Sequence, residues 1–209
     1  MPFPTTDHCR NYLPHFENRQ YQMITFRLYD SLPQTVIEEW KEESILLQNE
    51  ILHSQTHNLT ELEKKRRLEI KKKLDLVEKY EDAGYGQCFM GDDRFAGLMK
   101  EALLYNDNKR YDLICWCIMP NHVHVLISPF EEVSMSKIMF DWKSYTTHTF
   151  NKLLGRIGKI WMNEYFDRYI RDIDHFNKVV DYIENNPVKA GIVTAPSDYK
   201  WSSAYKERC

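Results

Sequence analysis

Between Tyr21 and Tyr29 the positions alternate: Ile24, Phe26 and Leu28 fall on one face, and Tyr21, Met23, Thr25, Arg27 and Tyr29 on the other. A period of two over such a run predicts a half-buried strand. Ser31-Leu-Pro33 suits a helix start, with Ser31 as N-cap and Pro33 in the first turn. A helical pattern then runs from about Pro33 to Glu81, broken near 54–58. In its second half Leu59, Leu62, Ile70, Leu74 and Val77 share one side, and acids precede bases by four residues at Glu61/Lys65, Glu63/Arg67, Glu69/Lys73 and Asp75/Lys79. This predicts a helical hairpin or arm, and the run Lys64-Lys-Arg-Arg67 reads as a solvated face sooner than a phosphate contact. After Gly84-Tyr-Gly86 and Gly91 comes a helix over about Asp93–Tyr105, with Phe95, Leu98 and Leu103 inward. Two adjacent strands follow, Tyr111–Met119 and His122–Ser128, joined by a turn at Met119-Pro-Asn121. The next helix spans Ser134–Leu154, capped by Ser134 and stopped by Gly155. Lys159–Arg171 reads as extended. A last helix opens at Asp172 or Asp174 and ends near Asn186-Pro187, because proline disfavours helical backbone in the residue before it.

This order predicts an α+β fold: a ferredoxin-like antiparallel sheet with helices packed on one face, plus a helical insertion at 33–82 and an N-terminal tail at 1–19. The 209 residues are expected to form a single domain over 1–209. Hydrophobic residues at 43% and charged residues at 28% exclude a disordered or fibrous chain. The run Leu113–Met119 is far shorter than the roughly 18 apolar residues of a membrane span. The N-terminal residues have no basic and then apolar signal pattern. Five cysteines without a CxxC pair fit a reduced, cytoplasmic protein. A net charge of −3 means that any nucleic-acid contact must come from local basic patches.

His122 and His124 are two apart on an expected strand, so their imidazoles share a face while Val123 and Val125 point to the core. Such a pair is half of a metal site, a grip on a phosphate, or two surface histidines at a sheet edge. Tyr182 and Asn186 are four apart on one face of the last helix, beside a stripe of His175, Val179 and Ile183 expected to pack on the sheet. A tyrosine there is a core residue with a wet hydroxyl or a nucleophile. Cys115 and Cys117 could join the histidines on zinc, but their apolar neighbours favour core cysteines. Lys143, Lys152, Arg156, Lys159, Arg168, Arg171 and Lys189 make the C-terminal half the more basic, and are expected to flank this site. No Gly-rich phosphate loop and no HExxH pattern is present.

Pro120-Asn-His122-Val-His124-Val-Leu resembles the HUH motif of the single-tyrosine transposases. Trp161–Arg171 is similar to their extended segment before the last helix, Asp181–Gly191 to the helix carrying their catalytic tyrosine, and Tyr199–Ala204 to their tail. The chain most resembles the REP-associated tyrosine transposase branch, strongly over 111–206 and moderately over 20–30 and 84–110; the insertion at 33–82 has no counterpart in short members. The resemblance implies a divalent ion, Mg²⁺ or Mn²⁺, on His122 and His124, with Asn186 as third ligand. It implies Tyr182 as the nucleophile that forms a 5′-phosphotyrosine link and frees a 3′-OH. The expected function is metal-dependent nicking and strand transfer on single-stranded DNA that forms a hairpin, with Arg168, Arg171 and Lys189 on the DNA. The alternatives are a non-catalytic hairpin-binding module and a zinc-dependent hydrolase in which water replaces the tyrosine. The resemblance leaves open a monomer or a homodimer.

Overall fold

The computed structural model describes residues 8–10, 13–15, 21–40, 42–43 and 59–206. Four strands form one antiparallel sheet: β3 (Gln22–Arg27), β4 (Tyr111–Ile118), β5 (His122–Pro129) and β6 (Phe166–Tyr169), in the order β4-β5-β3-β6. A two-stranded ribbon, β1 (His8–Arg10) with β2 (Leu13–His15), lies in the segment expected to be a tail. Strands of three residues, one holding a proline, have too little alternation to be seen in sequence. The helices are α1 over 34–40, α2 (Leu59–Asp82), α3 (Asp93–Tyr105), α4 (Met135–Leu154) and α5 (Ile173–Lys189). No helix among the described residues is long and apolar enough to cross a membrane.

The helix starts follow from local chemistry. Asp92, Ser134 and Asp172 accept backbone N–H bonds at the starts of α3, α4 and α5, and Gly155 closes α4 with φ 61°. Of the two starts considered for the last helix, Asp172 is therefore the cap. Its end differs from expectation: α5 continues through Pro187 to Lys189, because the Ala190 N–H closes the last turn on the Asn186 carbonyl at 2.9 Å. The extended segment 159–171 contracts to β6, with Trp161 making an isolated bridge to Leu28.

The mixed class and the antiparallel sheet are as expected, and α3 and α4 share one face. There Ile24, Phe26, Val123, Val125 and Ile127 pack with Phe95, Met99, Leu103, Trp142 and Phe150. The expectation that all helices lie on one face needs correcting. Helix α5 covers the opposite face, where Val179 and Ile183 meet Met23, Cys115, Cys117 and Leu126. With both faces covered and β5 and β6 on either side, β3 is buried at all six positions instead of alternating.

The insertion folds back on itself. Ile37 and Trp40 of α1 pack with Val77 of α2 and Met162, and Lys73 pairs with Glu43 at 3.1 Å. The side chains of Glu61/Lys65, Glu63/Arg67, Glu69/Lys73 and Lys64–Arg67 as groups, and the break near 54–58, lie outside the described residues. After α5 the chain returns beside β4, where Trp201 accepts the Ile118 N–H at 2.8 Å and the Tyr199 hydroxyl donates to the Ile118 carbonyl at 2.8 Å.

Candidate active site

The two histidines sit on an inner strand, not at an edge. β5 lies between β4 and β3, and both imidazoles are buried beneath α5, with ring centroids 4.6 Å apart. Asn121 Oδ1 meets His122 Nδ1 at 2.7 Å, while Asn121 Nδ2 donates to the Tyr85 carbonyl at 3.0 Å. With its amide oriented by Tyr85, Asn121 accepts, so His122 carries its proton on Nδ1 and leaves Nε2 bare. Across the sheet Thr25 Oγ1 meets His124 Nδ1 at 2.8 Å, and His124 Nε2 has no hydrogen-bond partner among the described residues. Burial pushes His122 down to about 3 and His124 well below the ordinary imidazole range. Both are therefore neutral at pH 7, the form in which imidazole binds a metal. Partners on Nδ1 that aim Nε2 are the usual support of a ligating histidine.

Helix α5 brings the residues from the other end of the chain. The Tyr182 ring meets His124 edge-on at 5.4 Å. One turn later Asn186, also buried, donates from Nδ2 to the Tyr182 carbonyl at 2.7 Å, and its Oδ1 has no partner. Two imidazole nitrogens and an unpartnered amide oxygen are donors of a kind that suits a divalent cation. The residues present thus fit the ion that the resemblance implies.

The end of α2 supplies groups that sequence reasoning missed. The Tyr182 hydroxyl donates to Glu78 Oε1 at 3.4 Å, and Lys189 pairs with Glu78 and, at 3.0 Å, with Asp82. Glu81, buried, pairs through Oε1 with Arg27 Nε at 3.3 Å. Burial raises the Glu81 carboxyl, against the pull of Arg27 and His124. Burial, reinforced by the Glu78 and Glu81 charges, pushes the Tyr182 phenol up, so it is a neutral phenol at pH 7. Arg27, Thr25 and Asn121 could have been found from register: Arg27 is opposite His122, and Thr25 opposite His124. Glu78 and Glu81 gave no local signal, since their meeting with the site is purely tertiary.

A cleft of about 700 Å³ opens here, and its lining includes Arg27, His124, Glu78, Glu81 and Tyr182 together with Arg168, Arg171, His175 and Lys178. Arg168 and Arg171 are thus at the site. Lys189 is beside it too, engaged by α2. His175 belongs to the cleft wall and not to the packed stripe, its Nδ1 accepting the Arg171 N–H at 3.3 Å. The other basic residues do not flank the site. Lys143, Lys152, Arg156 and Lys159 lie on α4 or just after it, over the opposite face, where Lys143 donates to the Met162 carbonyl at 2.8 Å. Cys117 is opposite His124 in register, yet both Cys115 and Cys117 pack in the apolar cluster beneath α5. Burial raises both thiols, Cys115 to about 12, so they stay protonated as core residues.

Residues 92–186 match the family model described as "Transposase IS200 like". That span begins after the helical insertion and contains His122, His124, Tyr182 and Asn186. A putative REP-associated tyrosine transposase of Haemophilus influenzae is 27% identical over 107 residues, which cover 46% of this chain and 61% of that protein. The REP-associated tyrosine transposase of Escherichia coli is 26% identical over 101 residues, covering 48% and 58%. The matches thus span about three fifths of the curated relatives' length. A solved structure of a REP-associated tyrosine transposase bound to a REP hairpin superimposes with a TM-score of 0.52 at 16% identity, covering 95% of this chain and 82% of that one. At that identity the likeness is one of fold. The resemblance read from the HUH motif and the tyrosine helix is borne out.

Proposed function

We propose that this relative of the REP-associated tyrosine transposases nicks and rejoins single-stranded, hairpin-forming DNA in the cytoplasm through a phosphotyrosine link to Tyr182. The observation that carries the reading is the contact of Tyr182 with His124, at 5.4 Å between rings, in a cleft that Arg168 and Arg171 also line. A core tyrosine would not need a buried, unpartnered imidazole nitrogen beside it. Mg²⁺ or Mn²⁺ held by His122, His124 and Asn186 would supply Lewis-acid polarisation of a phosphate oxygen. The protein's own residues do the rest. Arg168 and Arg171 hold the DNA backbone, and the rigid α5 sets Tyr182 for in-line attack. As the Tyr182 oxygen bonds to phosphorus, its proton passes to Glu78, which already accepts from that hydroxyl. The bond to the 3′-oxygen breaks with its electron pair, and that oxygen takes a proton from solvent. One phosphodiester replaces another, so rejoining needs no external energy source.

The test is incubation with labelled hairpin oligonucleotides from the DNA flanking the gene, with Mn²⁺ or Mg²⁺, followed by denaturing electrophoresis. A covalent protein–DNA band that requires the metal and disappears in Tyr182→Phe supports strand transfer. Retarded DNA with neither adduct nor cut, in both metals, identifies a hairpin-binding module instead. Cleavage retained in Tyr182→Phe identifies a hydrolase.

A further inference from the structure

Arg27 is on the face of its strand opposite Ile24, Phe26 and Leu28, and the structure buries it inside the site. In the antiparallel pairing of β3 with β5 it lies directly opposite His122, as Thr25 lies opposite His124, so the guanidinium and both imidazoles share one face. Its side chain is 7% exposed, and what it exposes lines the cleft shared with His124 and Tyr182. Glu81 engages the Nε edge at 3.3 Å, which leaves the terminal nitrogens as the donors available to a substrate.

A buried Arg–Glu pair is an expensive way to hold a fold together, since apolar residues of similar volume commonly do as well or better. Here the pair lies beside the two imidazoles, with Arg27 directly opposite His122, so the guanidinium brings a positive charge to the site itself. Phosphoryl transfer builds negative charge on the non-bridging oxygens, and a planar fork of donors in a water-poor site suits that charge.

We propose that Arg27 is a catalytic residue that contacts a non-bridging oxygen of the scissile phosphate through its terminal nitrogens, with Glu81 holding its Nε edge. The role rests on the strand-transfer reading. Arg27 gives up no proton; it stabilises the charge that grows as the Tyr182–phosphorus bond forms and the bond to the 3′-oxygen breaks. It also gives the insertion a use, since α2 supplies the carboxylate that aims the arginine.

The experiment measures adduct formation by the full chain at saturating hairpin DNA, for wild type, Arg27→Lys and the double variant Arg27→Gln/Glu81→Gln. Arg27→Lys keeps the ion pair, and the double variant removes both buried charges together, so neither leaves a charge stranded. Thermal melting is followed in parallel. The expected loss is about 10²–10³-fold in rate for the double variant, as for removal of one oxyanion donor, with hairpin affinity nearly unchanged and Arg27→Lys intermediate. The same rates are then measured on substrates with a methylphosphonate at the cleaved linkage, one stereoisomer at a time. With the oxygen facing Arg27 replaced by methyl, the penalty of the double variant should shrink to about tenfold or less, because the charge that Arg27 served is gone. Equal penalties on phosphate and on both methylphosphonates would assign Arg27 a purely structural part and overturn the proposal. So would wild-type rates in variants that melt as wild type does. If the wild type forms no adduct, the strand-transfer reading falls and the catalytic role falls with it.

Discussion

On one face of the sheet Ile24, Phe26, Val123 and Val125 pack beneath α3 and α4; on the other, one residue along each strand, Thr25, Arg27, His122 and His124 lie beneath α5 and the end of α2. Both sets are buried, none more than 6% exposed. On the first face burial is itself stabilising, at roughly 25 cal/mol per Å² of apolar surface removed from water. On the second it costs free energy that hydrogen bonds and ion pairs must offset. Thr25, Asn121 and the Arg27–Glu81 ion pair offset part of it, while His124 Nε2, Asn186 Oδ1 and Glu81 Oε1 have no hydrogen-bond partner among the described residues. A burial profile alone would not separate the two faces. What separates them is the chemistry of the buried side chains: on the second face His124, Glu81 and Asn186 bring polar atoms without hydrogen-bond partners together with Tyr182.

The comparison predicts that the faces respond differently to damage. Trp142→Ala on the apolar face should destabilise by about 3–5 kcal/mol in urea unfolding while the surviving folded fraction binds Mn²⁺ as before. Loss of metal binding at the same stability cost would erase the distinction. Thr25→Val on the polar face should do the reverse. It removes the partner of His124 Nδ1, so Mn²⁺ affinity by calorimetry should fall about 10–100-fold with only a small change in unfolding.

Acid and alkali should also tell the faces apart. In chelator-treated protein His122, held down at about 3, stays neutral where the unfolded chain takes up a proton at about 6.5. Its contribution is present above about pH 6.5 and is lost as pH falls towards 3, a limb that His122→Asn should flatten in melting curves. On the apolar face burial raises the Tyr111 phenol to about 12, despite the bond it accepts from Trp142. The unfolded chain releases that proton first, so this contribution is present below about pH 10 and is lost as pH rises towards 12. Tyr111→Phe should remove the alkaline limb and leave the acid limb alone. The smallest effect is local: Glu78→Gln removes a charge that raises the Tyr182 phenol, so tyrosinate absorbance should appear at lower pH than in wild type.

Much of this was legible in the chain. The alternation around His122 and His124, and the four-residue spacing of Tyr182 and Asn186, are periodicities that survive in one sequence, and the family motif tied the two pairs together. The position of β5 inside the sheet was not legible, because strand order is set by long-range pairing; surface histidines therefore remained open. The burial of Arg27 was hidden for the same reason: period two assigns its face correctly but cannot say that helices will cover that face. Glu78 and Glu81 looked like two more acids on a charged helix, and only the packing of α2 gives them partners, Tyr182 and Lys189 of α5 for Glu78 and Arg27 of β3 for Glu81. Pro187 shows the opposite error, a strong local signal overridden because it falls in the last turn, where one lost N–H bond is cheap.

The central claim, that this buried polar face delivers Tyr182 to a DNA phosphate, is tested most directly by locating the covalent link. After reaction with a hairpin oligonucleotide and Mn²⁺, nuclease treatment and tryptic digestion, the fragment between Lys178 and Lys189 contains a single tyrosine, Tyr182. Mass spectrometry should find a nucleotide remnant on that fragment and on that residue, and none when the metal is chelated. A remnant on another tyrosine, or unmodified Tyr182 in a reaction that cuts the DNA, would contradict the account.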